Sequence, residues 1–314
     1  MSVTVALLCW NQAPFAAEAV RSIAEQDHDD LKVIIIDNGS TDGSQEILRN
    51  EVNRSQMVVE FIENGHNVGI ATALNQALSK SNTKYFVPFA SDDVMLAGRL
   101  SRQFRLFETL PATVAVLSSS CRVIDHEGRL GPRISGSQST DMRRLRLDLI
   151  RRITPPAPGV MIRTSALRDL GGYDERCPLE DYDLWVRVVF DLGMAIYPDP
   201  TEVALYRRHG SNSSLNEKFM TAGVAYSQAR IRRHDLSLGE RKELRRAVFT
   251  NVWPATNWHL TIRALEDGEV HRARFSAFRA LGDAFLSPGQ RAKLVFVVLF
   301  PRTAMRRIRL SDSQ

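Results

Sequence analysis

Tyr85-Phe86-Val87-Pro88-Phe89-Ala90-Ser91-Asp92-Asp93-Val94-Met95 is a short, mostly apolar run that ends in two adjacent carboxylates. Its length and composition predict a buried strand. Neighbouring carboxylates repel each other and resist desolvation, so such a pair is kept charged by a cation, by hydrogen-bonding ligand groups, or by solvent at a surface turn. Asp92-Asp93 therefore has two readings: a cap for a helix starting at Ala97, or part of a site. The rest of the chain favours the second.

Runs of the same kind precede it. Val3 to Leu8 is continuous and apolar, Leu31 to Ile36 repeats the pattern with Asp37 at its end, and Val58 to Ile62 follows. Each leads into a punctuated loop, in turn Trp10-Asn11-Gln12-Ala13-Pro14, Asn38-Gly39-Ser40-Thr41-Asp42-Gly43 and Asn64-Gly65-His66-Asn67-Val68-Gly69. Apolar residues at helical spacing come next. Strand and helix alternate, which predicts an α/β fold with a mostly parallel sheet and helices on both faces. Ligands bind outside the carboxyl ends of the strands in such sheets. Asn11, Asp37, Asn67 and Asp92-Asp93 all stand at those ends, so their loops should converge on one crevice. Asp42, with Gln45 three residues on, reads as a helix cap. Neither G-x-G-x-x-G nor GxxxxGK[ST] is present, so a bound nucleotide would be handled by carboxylates and a metal rather than a glycine cradle.

Downstream, Leu100, Phe104 and Phe107 stripe a helix and Val114 to Ser119 form a strand. From His126 to Pro158 the chain is rich in Gly, Ser, Pro and Arg. It reads as a loop plus a basic amphipathic helix around Arg143-Arg144-Leu145-Arg146, either a solvated edge helix or an acceptor- or membrane-facing flap. Strand returns at Gly159 to Arg163, then a short helix around Ala166-Leu167 and the turn Gly171-Gly172-Tyr173-Asp174-Glu175. Glu180, Asp181 and Asp183 open the next helix, where acids suit the dipole. Asp183 pairs with Arg187 at i,i+4, which leaves Glu180 and Asp181 free to face the crevice. Ala195 to Tyr197 and Glu202 to Tyr206 read as two further strands, followed by Arg207-Arg208-His209. His209 is either a surface residue or a ligand.

Beyond Asn216 strand signals vanish. Helices are expected around Phe219 to Arg232, Glu240 to Phe249, Ala255 to Leu265 and Glu269 to Phe285. The tail, Arg291 to Leu310, mixes an apolar run with Arg302, Arg306, Arg307 and Arg309. It is too short to span a bilayer, but could lie in an anionic membrane surface or pack on the sheet.

At 314 residues, with a net charge of +5 and a pI near 9.3, the chain is a soluble-protein composition with its basic excess late in the sequence. That asymmetry suggests an anionic surface as partner. The basic residues are not interleaved with aromatics, so no nucleic-acid partner is expected. The 3 cysteines form no CxxC pair, and a cytoplasmic setting fits best. The N-terminus reads as a first strand rather than a signal peptide.

Val33 to Asp42, Asn67-Val68-Gly69 with Asn75, Ser91-Asp92-Asp93, Gly171 to Glu175, Glu180-Asp181 and Tyr206-Arg207-Arg208-His209, in this order and spacing, resemble the inverting family 2 glycosyltransferases of GT-A fold. The resemblance covers about residues 1–214, and implies a nucleotide-sugar-binding catalytic domain there, with 215–314 as a helical extension. It implies that Asp37 contacts the nucleobase or ribose with the Asn11 loop as pocket wall, and that Asp92 sits near the ribose. Asp93 would bind a divalent cation, Mg²⁺ or Mn²⁺, His209 would complete its shell, and Asp181 would be the general base. Glu180, beside the base, would raise its pKa. Two departures stand out: Ala90 where many relatives carry an acid, and Leu74 where many carry arginine.

The function implied is transfer of a sugar from a nucleotide-diphosphate donor to a glycan or lipid-linked acceptor. Bacterial surface-polysaccharide assembly at the inner face of the plasma membrane is the expected setting. A nucleotidyltransferase lacks support because the Gly-rich loop it needs after the first strand is absent. A non-catalytic sugar-nucleotide or anionic-surface binding protein is the alternative.

Overall fold

The computed structural model describes residues 2–136, 139–151, 155–247, 270, 271, 274 and 297–300. The chain divides into two compact units, Met1–Asn216 and Glu217–Gln314.

In the first unit β1 (Val3–Cys9), α1 (Ala13–Ala24), β2 (Leu31–Asp37), α2 (Ser44–Ser55), β3 (Val59–Glu63), α3 (Ile70–Lys80) and β4 (Tyr85–Ala90) alternate as expected. Next come β5 (Val94–Met95), α4 (Arg99–Thr109), β6 (Val114–Ile124), β7 (Leu130–Ile134) and α5 (Met142–Arg151). The unit closes with β8 (Val160–Arg163), α6 (Thr164–Asp169), α7 (Glu180–Phe190) and β9 (Ala195–Arg207). The sheet has the order β3-β2-β1-β4-β8-β6-β9-β5, with β7 paired to β6. Strands β1, β2, β3, β4, β6 and β9 share one direction, whereas β5, β7 and β8 oppose it. The sheet is thus mostly parallel.

Along β1 the side chains of Val3, Thr4, Val5, Ala6 and Leu7 are all fully buried. Successive strand residues point to opposite faces, so both faces are covered. Val3, Val5 and Leu7 join Ala16, Ala19, Val20 and Ile23 of α1 in the main core. Helix α3 packs over β1 and β2.

Three expectations change. The run Tyr85–Met95 is two strands: the chain turns at Ser91–Asp93, and β5 leaves β4 to pair antiparallel with β9, while the following helix begins at Arg99. A turn lets adjacent acids avoid a strand interior. The two strands expected in 195–206 are one 13-residue strand. Its Pro200 falls where the register with β6 shifts, between Asp199 and Glu202, as proline requires inside a sheet. Finally, the Arg- and Gly-rich stretch after His126 holds β7, in a hairpin with β6. Asp125 Oδ1 closes the turn by accepting from the amides of Glu127 and Arg129 at 2.9 and 3.0 Å.

Helix α5 buries Leu145, Leu149 and Ile150 and packs against α7. Its Arg146 guanidinium lies 4.5 Å over the Phe190 ring. The basic segment is therefore anchored by its apolar stripe, with Arg143 and Arg144 outward.

The second unit contains α8 (Glu217–Ile231) and α9 (Leu238–Ala247). The helices expected at 255–265 and 269–285 and the tail at 291–310 lie outside the described residues, apart from 270, 271, 274 and 297–300. No described helix is long and apolar enough to cross a membrane.

Candidate functional site

The loops after β1, β2 and β3 are fastened to one another. Asn11 has φ 53°, a left-handed conformation that asparagine tolerates. Its amide donates to Ser40 Oγ at 2.9 Å and its Oδ1 accepts from the Thr41 amide at 2.8 Å. Asp42 Oδ2 accepts from the Ala13 amide at 2.9 Å and Oδ1 from the Ser44 amide at 3.0 Å, so it ties α1 to the start of α2. Asn38 is the centre of the next junction. Its Oδ1 accepts from Asn64 Nδ2 at 3.1 Å and the Val68 amide at 3.2 Å, and its Nδ2 donates to Asn67 Oδ1 at 3.1 Å. Gly39, at φ 78°, brings the backbone so close that a Cβ would lie 2.5 Å from the His66 carbonyl carbon.

Asp37 ends β2 beneath these loops and is buried. Oδ2 accepts from the Ser40 amide at 3.3 Å, but Oδ1 is buried without a hydrogen-bond partner. Such an orphan acceptor costs about 1–3 kcal/mol. Asn11 and Asn67 stand at the same rim, with their side-chain oxygens engaged in holding the loops.

The second cluster joins the end of β4 to the end of β9. Asp93 Oδ1 accepts from the Arg207 amide at 2.9 Å. Asp92 Oδ2 meets His209 Nε2 at 3.0 Å and Asn212 Nδ2 at 3.1 Å. His209 thus lies against Asp92 rather than Asp93, with its ring 4.8 Å from that of Phe15. The Arg207 side chain, also buried, donates from Nε to Asp92 O at 2.9 Å, from Nη1 to Asp125 O at 3.2 Å and from Nη2 to Glu18 Oε2 at 2.5 Å. Its guanidinium stacks 4.8 Å over Phe15. Burial, and then the Asp92 charge, push the Asp93 carboxyl well above its usual range, and Arg207 and Arg99 oppose this.

Glu180 and Asp181 form the third group, at the start of α7 and half-buried. Burial lifts Asp181 to about 6, and burial followed by the Asp181 charge lifts Glu180 to about 8. Burial is the first cause for both groups, and two neighbouring carboxylates each disfavour ionisation of the other. No hydrogen bond or ion pair among the described residues links this pair to Asp92-Asp93. Beside the pair runs the turn at Gly171-Gly172-Tyr173, which Asn75 of α3 holds. Asn75 Oδ1 accepts from the Tyr173 amide at 2.8 Å, and Nδ2 donates to Tyr173 O at 3.0 Å and Glu175 Oε1 at 2.9 Å. Gly172, at φ 83°, is required here, since a Cβ would lie 2.4 Å from Asn75 Oδ1.

The donors around Asp92-Asp93 fit a hard divalent cation. Among the described residues Asp93 engages only its Oδ1 and Asp92 only its Oδ2, and the remaining carboxylate oxygens are of the type that Mg²⁺ or Mn²⁺ takes. No three His, Cys, Asp or Glu side chains among the described residues already surround one point. The protein offers a partial shell, of the sort that substrate phosphate oxygens fill out.

Asn38, Asn75 and Arg207 had no assigned role in the sequence reading. Their motif positions were visible, but a hub is defined by partners up to 189 residues away, as with Arg207 and Glu18.

The model of the glycosyl transferase family 2 matches residues 4–171. EpsE of Bacillus subtilis (strain 168), named as a glycosyltransferase, is 27% identical over 226 residues, covering 71% of this chain and 78% of EpsE. The mannosyltransferase PcManGT from Pyrobaculum calidifontis, in complex with GDP-Man and Mn²⁺, shares the fold at a TM-score of 0.61 and 19% identity, over 99% of this chain and 88% of that one. S. aureus TarS 1-349 in complex with UDP-GlcNAc shares it at 0.62 and 16%, over 99% and 92%. With its sheet of GT-A form and a family match that spans the rim from Asn11 to Gly171, the chain belongs to glycosyl transferase family 2.

Proposed function

We propose that this glycosyltransferase inverts configuration, depends on a divalent cation, and moves a sugar from a nucleotide-diphosphate donor to a glycan or lipid-linked acceptor. The observation that carries the reading is the arrangement of acids at one end of the parallel strands: Asp37 with an unmet Oδ1 at the end of β2, and Asp92-Asp93 facing His209 at the ends of β4 and β9. GDP-Man with Mn²⁺ in PcManGT and UDP-GlcNAc in TarS support a nucleotide-sugar donor.

On this reading residues 1–214 carry the chemistry. Asp37 binds the base or ribose, the Asn11 and Asn67 loops wall the pocket, and Asp92 lies near the ribose. Asp93 and His209 would hold the cation, which when bound neutralises charge growing on the departing diphosphate. Asp181 takes the proton of the acceptor hydroxyl as the new bond forms on the opposite face. Its raised pKa suits that task, because a base titrating near 6 is both ionised at neutral pH and basic enough to accept a proton. Glu180 lines the acceptor side. The residues beyond 214 are a C-terminal extension whose basic tail contacts the membrane, at the inner face of a bacterial plasma membrane where surface polysaccharide is assembled.

Asp181→Asn tests the assignment. Donor affinity, measured by calorimetry with Mn²⁺, should stay at the wild-type value while donor hydrolysis and transfer fall by roughly 10²–10⁴. Turnover equal to wild type would remove Asp181 as base, and donor binding without any turnover in the wild type would leave a non-catalytic binder.

A further inference from the structure

Helix α9 turns a basic face outward, and its start is fixed. Ser237 N and Oγ both donate to Glu240 Oε2 at 2.8 Å, and Glu240 N donates to Ser237 Oγ at 3.3 Å. This reciprocal bonding sets a helix N-terminus. Glu240, Leu244 and Ala247 then face inward and are buried, which leaves Leu238, Lys242 and Arg245, spaced i, i+4, i+7, on the outside. Leu238 is 89% exposed. Just before them Arg232 and Arg233 are exposed where α8 ends. The side chains of Arg232, Arg233, Lys242 and Arg245 meet no carboxylate among the described residues, whereas neighbouring Arg241 is paired with Asp235 at 3.4 Å.

Cations that meet no carboxylate among the described residues, on an exposed helix face, fit an extended layer of negative charge better than one compact anion. A protruding leucine among them gains by leaving water. Residues 230–247 contain no Phe, Tyr or Trp, so the stacking platform of a nucleic-acid binder is missing. We propose that this face, formed by Lys242 and Arg245 beside Leu238, docks on the anionic surface of a phospholipid bilayer, with Leu238 entering the headgroup layer. The contact does not depend on the transfer chemistry, since it is read without donor or metal.

The test is co-sedimentation of the full chain with vesicles of phosphatidylcholine alone or with added phosphatidylglycerol. Binding should require the anionic lipid and weaken with salt. Neutralising Lys242 and Arg245 together (K242Q/R245Q) should lower the partition coefficient roughly 25-fold, about fivefold for each cation. Leu238→Asp should lower it further. Circular dichroism should show both variants folded, as expected for exposed positions. Equal binding to neutral vesicles overturns the proposal. So does wild-type binding by K242Q/R245Q, which would place the contact on the tail or elsewhere, and so does preference for heparin or duplex DNA over anionic vesicles at equal salt.

Discussion

His209 Nε2 lies 3.0 Å from Asp92 Oδ2, across 117 residues of sequence. The end of β9 thereby supplies an imidazole to the turn that ends β4. His209→Ala should weaken Mn²⁺-dependent donor binding by about 10–100-fold, the usual effect of losing a ligand or its immediate support. Calorimetric donor titrations across a Mn²⁺ series would measure this, and an unchanged Mn²⁺ dependence would leave His209 a structural residue.

Arg207 fixes that turn from inside. Arg207→Ala leaves Asp92 O and Asp125 O without their donor and removes a buried charge, so denaturant unfolding should show a loss of about 3 kcal/mol or more. Glu18, whose side chain is 49% exposed, offers the contrast: Glu18→Gln should cost under about 1 kcal/mol. Equal losses for the two would mean that the guanidinium contacts to the turn contribute little.

Asn75 and Gly172 should not act independently. Gly172→Ala alone is strained by its φ of 83° and by the 2.4 Å approach to Asn75 Oδ1, while Asn75→Ala alone leaves the Tyr173 amide and carbonyl unmet. The double variant relieves the clash, so its destabilisation should fall short of the sum by about 0.5–3 kcal/mol. A strictly additive cycle would argue against the latch.

The Glu180-Asp181 pair predicts a pH dependence with a definite sign. A carboxyl whose pKa is raised on folding holds its proton more tightly in the native state. Stability is then greatest below about pH 4 and falls as pH rises through about 6 and about 8. Glu180→Gln removes the upper part, so its Tm should exceed wild type by about 2–4 °C in alkaline buffer and match it in acid. The acid limb of kcat/KM should stay near 6 in this variant, because burial is the first cause of the Asp181 shift. A limb that moves would return the role to Glu180.

Much of the fold could be read from apolar runs. Val3–Cys9, Leu31–Asp37 and Tyr85–Ala90 are parallel strands buried on both faces, and such strands show in sequence as uninterrupted hydrophobic residues. Less regular segments misled. The long β9, with its two prolines, resembles two strands, because the register shift that accommodates proline depends on β6. The hairpin strand β7 was hidden because Leu130-Gly131-Pro132-Arg133-Ile134 is mostly half-exposed or exposed and carries no apolar run.

The amino-acid sequence by itself determined the alternation of strand and helix, the family, and which acids stand at strand ends, since these follow from local periodicity and from residues adjacent in the chain. Tertiary structure alone decided that His209 faces Asp92, that Arg207 carries the turn, that Asn75 grips Tyr173, and that burial lifts both Glu180 and Asp181. Those facts depend on distance and desolvation, and both come into being only when segments distant along the chain are packed together.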